Sequence, residues 1–146
     1  MVKCEELNAD MICRLVDRAI EGMSYAYTPY SGFRVGAALL TESGEIYTGC
    51  NIENAAYTPT NCAERTAFFK AVSEGERHFA AICIVGGKDG KLADYTSPCG
   101  VCRQVMMEFC EPEQFKIILA ISREEYRIYT LKELLPEGFG SARLAR

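Results

Sequence analysis

The chain has 146 residues, of which 49% are hydrophobic and 25% charged, and this predicts one globular domain over residues 1–146 with a hydrophobic core. Its net charge of -4 argues against a nucleic-acid partner, because phosphate contacts need clustered lysines and arginines. No apolar run approaches the roughly 18 residues of a membrane span. The segment Met1–Glu6 lacks the apolar core of a signal peptide, so we expect a cytoplasmic protein with no membrane partner.

Hydrophobic periodicity and turn residues divide the chain into nine regular elements. Asn8 is a good N-cap for a first helix, which we expect to run to about Tyr25 or Tyr27. A third helix is predicted to start with Ser97 as its N-cap and Pro98 in its first turn. The other predicted elements are strands at Phe33–Leu40 and Glu45–Cys50, a helix from Cys62 or Ala63 to between Ser73 and Gly75, strands at Phe79–Val85, Phe115–Ile121 and Tyr126–Leu131, and a short helix opened by the capping-box pattern Thr130–Glu133 and stopped by Pro136.

This order of elements is typical of the α/β class. Connections through helices favour parallel strand pairing, whereas the first two strands form an antiparallel hairpin around Thr41–Gly44. We therefore predict a three-layer α-β-α sandwich with a mixed five-stranded sheet. Ligands of open α/β sheets gather where strands end, and two cysteine-bearing helices start near such ends.

The chain contains eight cysteines, which in a reducing compartment indicate a metal site or catalysis more often than a disulfide framework. Four of them lie inside apolar patterns, and we interpret these as small core residues because free cysteine buries readily. They are Cys13, Cys50, Cys83 and Cys110.

The remaining signal is a pair of thiols at Cys99 and Cys102, which lie on one face of a helix and can chelate one tetrahedral ion. Adding Cys62 gives three ligands and leaves a fourth position for water, as in catalytic zinc sites. One alternative is a redox dithiol, although the chain does not open with the strand and helix of a thioredoxin-type fold. Another is a structural four-cysteine site that recruits Cys83 or Cys110.

Two charged residues follow Cys62 directly. Glu64 is either an ordinary first-turn acid favoured by the helix dipole or a proton carrier beside the open metal position. Three thiolates around Zn²⁺ give a net negative site, which two helix N-termini and a nearby arginine offset. Arg65 and Arg103 are candidates to donate to the thiolates, and we expect Arg65 to do so; the alternative is a solvent-facing helix arginine.

At these residues the chain resembles the zinc-dependent cytidine deaminases. The resemblance covers most of the chain. Cysteine rather than histidine at position 62, the first ligand, makes the chain similar to the small, homotetrameric, three-cysteine branch of the family. Arg34 departs from the family, which usually has proline at this position. The matching segments are Phe33–Leu39, Gly49–Tyr57, Asn61–Ala67, Ser97–Val105 and Glu133–Pro136.

The resemblance implies a role for each matching position. Cys62, Cys99 and Cys102 would hold one Zn²⁺ per subunit, and Glu64 would carry protons to the pyrimidine N3 and to the leaving ammonia. The implied substrate contacts are Asn51 and Glu53 on the ribose hydroxyls, Phe33 on the base, the Ala63 backbone on the pyrimidine edge, and Phe139 and Tyr57 reaching a neighbouring subunit's site.

The implied activity is hydrolytic deamination of cytidine and deoxycytidine in pyrimidine salvage, and the acidic net charge favours such a small nucleoside substrate. Deamination of a cytosine-bearing antibiotic such as blasticidin S uses the same zinc motifs, but Asn51–Asn54 favours a ribose. From another class, the chain could be a non-catalytic zinc module that binds a partner. Without the family, Asn51, Glu53 and Phe33 would be interpreted as loop or core residues.

Overall fold

A computed structural model describes residues 7–144, and the segment Met1–Glu6, interpreted above as lacking a signal peptide, lies outside the described residues. No helix in residues 7–144 combines the length and apolarity needed to cross a membrane. The elements are α1 (Ala9–Met23), β1 (Phe33–Thr41), β2 (Ile46–Cys50), α2 (Ala63–Ser73), β3 (Phe79–Lys88), α3 (Gly100–Phe109), β4 (Lys116–Ala120), β5 (Tyr126–Thr130), α4 (Leu131–Leu134) and a 3₁₀ turn (Ser141–Leu144).

The five strands form one sheet in the order β2-β1-β3-β4-β5. The β3–β4 pair is parallel and is joined through α3, whereas β1–β2, β1–β3 and β4–β5 are antiparallel. A parallel pair needs such a crossover, while antiparallel neighbours need only a short turn. The predicted mixed five-stranded sheet is confirmed.

Helices cover both faces of this sheet. Alternate residues of a strand face opposite sides, so Ile82 and Cys83 in β3 enter two different cores. On one side α1 packs through Leu15 into the core that contains Cys83, and on the other α2 packs through Phe68 into the core that contains Ile82. This is the predicted three-layer α-β-α arrangement.

The helix α1 begins as expected and ends earlier. Its N-cap is Asn8, whose Oδ1 accepts a hydrogen bond from Met11 N at 2.9 Å. Its last residue is Met23 rather than Tyr25 or Tyr27, so the predicted end is wrong. The backbone N–H of Tyr27 donates instead to Asn51 O at 3.0 Å. After the helix the chain therefore pairs with the loop that follows β2.

The start of α3 also differs from the prediction. Its N-cap is Cys99, whose sulfur accepts from Cys102 N, and Pro98 precedes the cap instead of lying in the first turn. The Ser97 hydroxyl is not the cap, because it accepts a hydrogen bond from Arg103 Nη2 at 2.9 Å. The capping box at the start of α4 is confirmed, with Thr130 and Glu133 bonded reciprocally.

Two glycines allow helix backbones to approach the sheet closely. A Cβ added to Gly49 in β2 would lie 2.3 Å from Ala63 O in α2, and one added to Gly36 in β1 would lie 2.0 Å from Ala19 O in α1. No side chain fits at such distances, so glycine is required at both positions. Gly49 thereby fixes how closely the first turn of α2 lies on the sheet.

The four cysteines assigned to the core differ in burial. Cys83 is completely buried in β3, and Cys110 is partly buried against the α2 side of the core. Cys13 and Cys50 are half-buried and belong to neither core cluster of the described residues. The core assignment is therefore confirmed for Cys83 and wrong for Cys13 and Cys50, which lie on a flank of α1 and at the end of an edge strand.

Candidate metal centre

The first turn of α2 is held against the end of β2 by a short network. Asn61 and Ile52 exchange backbone hydrogen bonds at 2.9 and 3.0 Å, which closes the loop between them. The hydroxyl of Thr66 donates to Cys50 O at 2.9 Å, and so ties the helix to the strand. Cys62 is the N-cap of α2, with extended backbone, and lies in the chain between these two anchored residues.

The first turn of α3 places two further thiols beside Cys62. Cys99 caps this helix, and Cys102 lies three residues later with its backbone N–H 3.4 Å from the Cys99 sulfur. Cys99 is exposed, Cys62 half-buried and Cys102 buried. The cluster therefore lies at the surface end of the helices, with one ligand facing solvent.

The sulfur atoms are arranged as a tetrahedral metal ion requires. The Cys62–Cys99 and Cys99–Cys102 Sγ–Sγ distances are 3.7 and 3.5 Å, and all three sulfurs lie within 4.8 Å of one another. Three thiolates at about 2.3 Å from one tetrahedral ion are separated by about 3.8 Å, which these distances match. They are far too long for the roughly 2.05 Å of a disulfide bond. The cluster fits one Zn²⁺ per chain.

Within residues 7–144 the group that could hold a metal contains these three cysteines and no fourth His, Cys, Asp or Glu. Cys83 is buried in β3, and Cys110 is the C-cap of α3, at the end opposite to Cys102. The structural four-cysteine alternative therefore has no support among the described residues. Three protein ligands are the pattern of a catalytic zinc site.

Positive charge faces the cluster from α2. Arg65 Nη2 donates to Cys62 Sγ at 3.2 Å, and the buried Nε of Arg65 has no hydrogen-bond partner in the part of the chain that the structure describes. The Cys102 thiol and Arg65 both donate to Cys62, and these bonds lower the pKa of Cys62 to about 5. The pKa of Cys102 is correspondingly raised, because its thiol donates to that sulfur. A site that already favours thiolate suits a divalent cation.

Arg103 does not join this cluster. Its guanidinium donates to Pro98 O at 2.8 Å, to Leu134 O at 2.5 Å and to the Ser97 hydroxyl. The expectation that it is a candidate donor to the thiolates is wrong. It ties the loop before α3 to the end of α4 instead, which holds the cysteine-bearing turn in place.

Glu64 is the buried carboxyl group of the site. It is the second residue of α2, is only 4% exposed, and interacts with the Cys102 thiol. Burial, aided by the nearby Cys62 thiolate, raises the pKa of Glu64 to about 7. A carboxyl group with a near-neutral pKa both accepts and releases a proton readily, as general acid–base catalysis requires.

A family model described as the cytidine and deoxycytidylate deaminase zinc-binding region matches residues 10–118, which include all three thiols and Glu64. The chain belongs to this deaminase family. A cytidine deaminase from Sporosarcina psychrophila is 48% identical over 132 residues, covering 90% of this chain and 93% of its own. One from Halalkalibacterium halodurans is 48% identical over 125 residues, 86% of this chain and 91% of its own.

Solved structures of family members share the fold. The crystal structure of a cytidine deaminase from Burkholderia pseudomallei superimposes with a TM-score of 0.78 at 43% identity, over 86% of this chain and 97% of its own. That of a cytidine deaminase from Mycobacterium tuberculosis gives a TM-score of 0.74 at 38% identity, over 87% and 95% of the two chains. The sandwich described above is therefore a deaminase fold.

Two loops next to the end of β2 bring further candidate residues together. The Asn51 amide accepts from Val35 N at 2.9 Å through Oδ1 and donates to Phe33 O at 2.8 Å through Nδ2, so its orientation is fixed. Glu53 accepts hydrogen bonds from the backbone N–H groups of Tyr30 and Ser31. The base-facing and sugar-facing candidates of the deaminase family are thus linked directly.

The other candidates lie in three places. Ala63 is buried as the first residue of α2, between Cys62 and Glu64. Tyr57 is 74% exposed, has a positive φ of 61°, and shares with Glu53 the lining of a cavity of about 460 Å³. Phe139 is 58% exposed on the C-terminal segment, where its carbonyl accepts from Gln104 Nε2 at 2.9 Å.

Sequence reasoning missed three residues that shape this site: Ser31, Thr66 and Gln104. Thr66 and Gln104 both lie inside the matching segments, but no spacing rule gives either a partner. Ser31 lies in a loop rich in Tyr, Pro, Ser and Gly, whose composition indicates only a turn. Each of these side chains pairs with a residue that only the tertiary fold brings near.

Proposed function

We propose that this protein hydrolytically deaminates cytidine and 2′-deoxycytidine to uridine and 2′-deoxyuridine, with release of ammonia, as a step of pyrimidine salvage. The observation that carries this proposal is a buried carboxyl group of near-neutral pKa beside a three-thiol cluster. In a purely structural zinc site, a buried Glu64 would be a cost without a benefit.

The metal-holding residues in this proposal are Cys62, Cys99 and Cys102. Bound there, Zn²⁺ supplies a Lewis acid that lowers the pKa of water and thereby makes a nucleophile available at neutral pH. The chain's contribution is to keep the thiols as thiolates. Arg65 does this by hydrogen bonding, and the N-termini of α2 and α3 do it through their helix dipoles.

Glu64 is the proton carrier of the proposed reaction. It accepts a proton from the attacking water and donates it to N3 of the pyrimidine, while the water oxygen forms a bond to C4. The remaining proton of that oxygen passes to the departing amino group, again through Glu64, as the C4–N4 bond breaks. Water and cytidine become uridine and ammonia, and Glu64 returns to its initial state.

Recognition of the nucleoside is assigned to the neighbouring loops. The half-exposed ring of Phe33 packs on the base, and the Ala63 backbone contacts its edge. The bonds of Asn51 to Val35 and Phe33 leave one N–H and one oxygen lone pair free for a sugar hydroxyl. Glu53 accepts from a second hydroxyl.

A homotetramer with sites shared between subunits is proposed on the exposed aromatic side chains. Tyr57 and Phe139 are 74% and 58% exposed, which leaves both rings accessible to a neighbouring subunit. In the tetramer each would reach a neighbour's nucleoside. Sedimentation tests the assembly. A cytoplasmic location is also proposed, because the site needs three reduced thiols.

The decisive experiment follows the loss of cytidine's ultraviolet absorbance on addition of zinc-loaded protein. Glu64→Gln should keep its zinc and lose activity by about 10²–10⁴-fold, the usual contribution of general acid–base catalysis. Glu108→Gln, at an exposed position of α3, is the control and should stay fully active.

Undiminished turnover in Glu64→Gln would refute the role of Glu64. No conversion of cytidine or deoxycytidine by wild type would refute the proposed function, and a non-catalytic zinc module would then explain the site. Blasticidin S and free cytosine are run in parallel. Faster turnover of blasticidin S than of cytidine would identify the antibiotic as the substrate. Equal turnover of cytosine and cytidine would contradict the sugar contacts of Asn51 and Glu53.

A further inference from the structure

The loop between α1 and β1 makes a set of contacts with Glu53 that the deamination chemistry does not use. Glu53 Oε1 accepts from the backbone N–H groups of Tyr30 at 3.0 Å and Ser31 at 3.1 Å. Its Oε2 accepts from the Ser31 hydroxyl. From these contacts we infer that Ser31 is a positioning residue for sugar recognition, and that it holds the Glu53 carboxylate and the Phe33 backbone in one arrangement. The inference rests on the proposed roles of Glu53 and Phe33.

The Ser31 hydroxyl makes two hydrogen bonds in this arrangement. It accepts a hydrogen bond from Phe33 N at 2.9 Å, and its single proton goes to Glu53. An ionised carboxylate can only accept, so the direction of the bond to Glu53 is fixed. Bonding to Ser31 is also the largest cause of the lowered pKa of Glu53, so the group stays ionised. One oxygen therefore links the backbone of the base-stacking residue to the carboxylate assigned to the sugar.

Counting lone pairs shows which oxygen is left for the substrate. A carboxylate offers about four acceptor positions, two on each oxygen. Glu53 Oε1 receives two N–H groups, while Oε2 receives the Ser31 hydroxyl alone. The open position is therefore on Oε2, the oxygen that Ser31 holds. Loss of the hydroxyl releases the atom that meets the sugar.

The loop backbone is anchored independently of this hydroxyl. Lys88 Nζ donates to Ser31 O at 2.5 Å, and Asp89 N donates to Gly32 O at 2.7 Å. On the other side, Glu53 N donates to Tyr27 O at 2.9 Å. Removing the hydroxyl should leave these bonds in place, so the expected effect is confined to the carboxylate and to Phe33 N.

The experiment compares cytidine with 2′,3′-dideoxycytidine, which has the same base but no sugar hydroxyls at these positions. We expect wild type to prefer cytidine. In Ser31→Ala, kcat/KM for cytidine should fall about tenfold, near the lower end of the range for a hydrogen bond to a charged group, and mainly through KM. Asn51 and the pairing with Lys88 still hold the Phe33 backbone, so the value for the dideoxynucleoside should stay near wild type and the preference itself should fall about tenfold. Zinc content and thermal unfolding are measured for each variant.

Two further variants separate positioning from general damage. Ser31→Thr keeps the hydroxyl and should keep the preference for cytidine. Ser24→Ala removes a hydroxyl from the same loop, where it donates to Glu21 O, and should leave kcat/KM unchanged for both substrates.

The inference is overturned if Ser31→Ala lowers kcat/KM equally for cytidine and for the dideoxynucleoside, or if its preference for cytidine equals that of wild type. It is overturned equally if Ser31→Thr loses the preference as Ser31→Ala does. A wild-type protein that deaminates neither nucleoside contradicts the proposed function instead. A wild-type protein that deaminates both equally contradicts the role of Glu53.

Discussion

Gly49→Ala is expected to separate the metal site from the fold. The added Cβ would lie 2.3 Å from Ala63 O and 2.6 Å from Ala67 N, whereas ordinary contact begins at 3.4 Å. Both atoms belong to the backbone of α2, so the first turn of the helix has to retreat by about 1 Å because a close-packed interior cannot absorb the clash. Ala63 lies directly between Cys62 and Glu64, and both move with it.

The expected magnitudes follow from that displacement. Overpacking of this kind costs about 1–3 kcal/mol of stability. A shift of about 1 Å in catalytic geometry costs about 100-fold in rate. We expect Gly49→Ala to lose zinc on dialysis against a mild chelator and to deaminate cytidine about 100-fold more slowly, while still unfolding cooperatively.

Gly36→Ala is the matched control. Its Cβ would lie 2.0 Å from Ala19 O and 2.6 Å from Met23 N, so the clash is similar, but the displaced helix is α1, which carries none of the proposed ligands. It should lose similar stability and keep its zinc. Zinc-to-protein ratio, thermal unfolding and initial rates are measured on both. Wild-type zinc content and rate in Gly49→Ala would contradict the expected displacement of α2, as would equal zinc loss in Gly36→Ala at equal destabilisation.

Three further outcomes are expected. The pKa of Glu64 is about 7 when folded against 4.5 ordinarily, so the folded state keeps a proton that the unfolded chain releases. In metal-free protein, the free energy of unfolding of wild type should therefore fall by about 3 kcal/mol relative to that of Glu64→Gln as pH rises from about 4.5 to about 7. A difference between the two proteins in urea unfolding that does not change with pH would contradict this. Arg65→Gln removes a donor to Cys62 and raises its pKa, so zinc should be lost at a higher pH on acidification; a retention curve and pH–rate profile identical to wild type would remove the role of Arg65. Thr130→Ala breaks the reciprocal bonds with Glu133 and should cost about 1 kcal/mol in thermal unfolding with zinc content unchanged, whereas lost zinc would show that α4 is coupled to the site.

Periodicity and metal-ligand spacing were enough to predict the layers, the mixed sheet and the three thiols. They failed where tertiary contacts decide the local structure. Ser97 followed by Pro98 is a good helix start, yet Cys99 is the cap. As the cap, the Cys99 sulfur accepts from Cys102 N and lies 3.5 Å from the Cys102 sulfur. The Ser97 hydroxyl accepts instead from Arg103, six positions later, which the sequence offers only as a second candidate donor to the thiolates.

The end of α1 and the role of Ser31 were equally hidden. No sequence signal marks Met23 as the last residue of the helix. Ser24, Tyr25 and Ala26 donate to carbonyl groups three residues back, and Tyr27 then bonds to Asn51, across a separation that only the fold closes. The contact of Ser31 with Glu53 spans 22 residues and joins two irregular loops, for which no periodic signal exists. The extent of the domain over residues 1–146 stays a prediction.

Cys62 and Cys99, the N-caps of the two helices, lie 37 positions apart in the chain, with all of α2 and β3 between them. A metal ion bound by ligands from both helices cross-links a long loop of the chain, as a disulfide would. Unlike a disulfide, this cross-link is broken without a change of oxidation state. A chelating agent would therefore act on this protein as an inhibitor and as a mild denaturant at once. As zinc is removed, the loss of activity and the fall in unfolding temperature should therefore occur together.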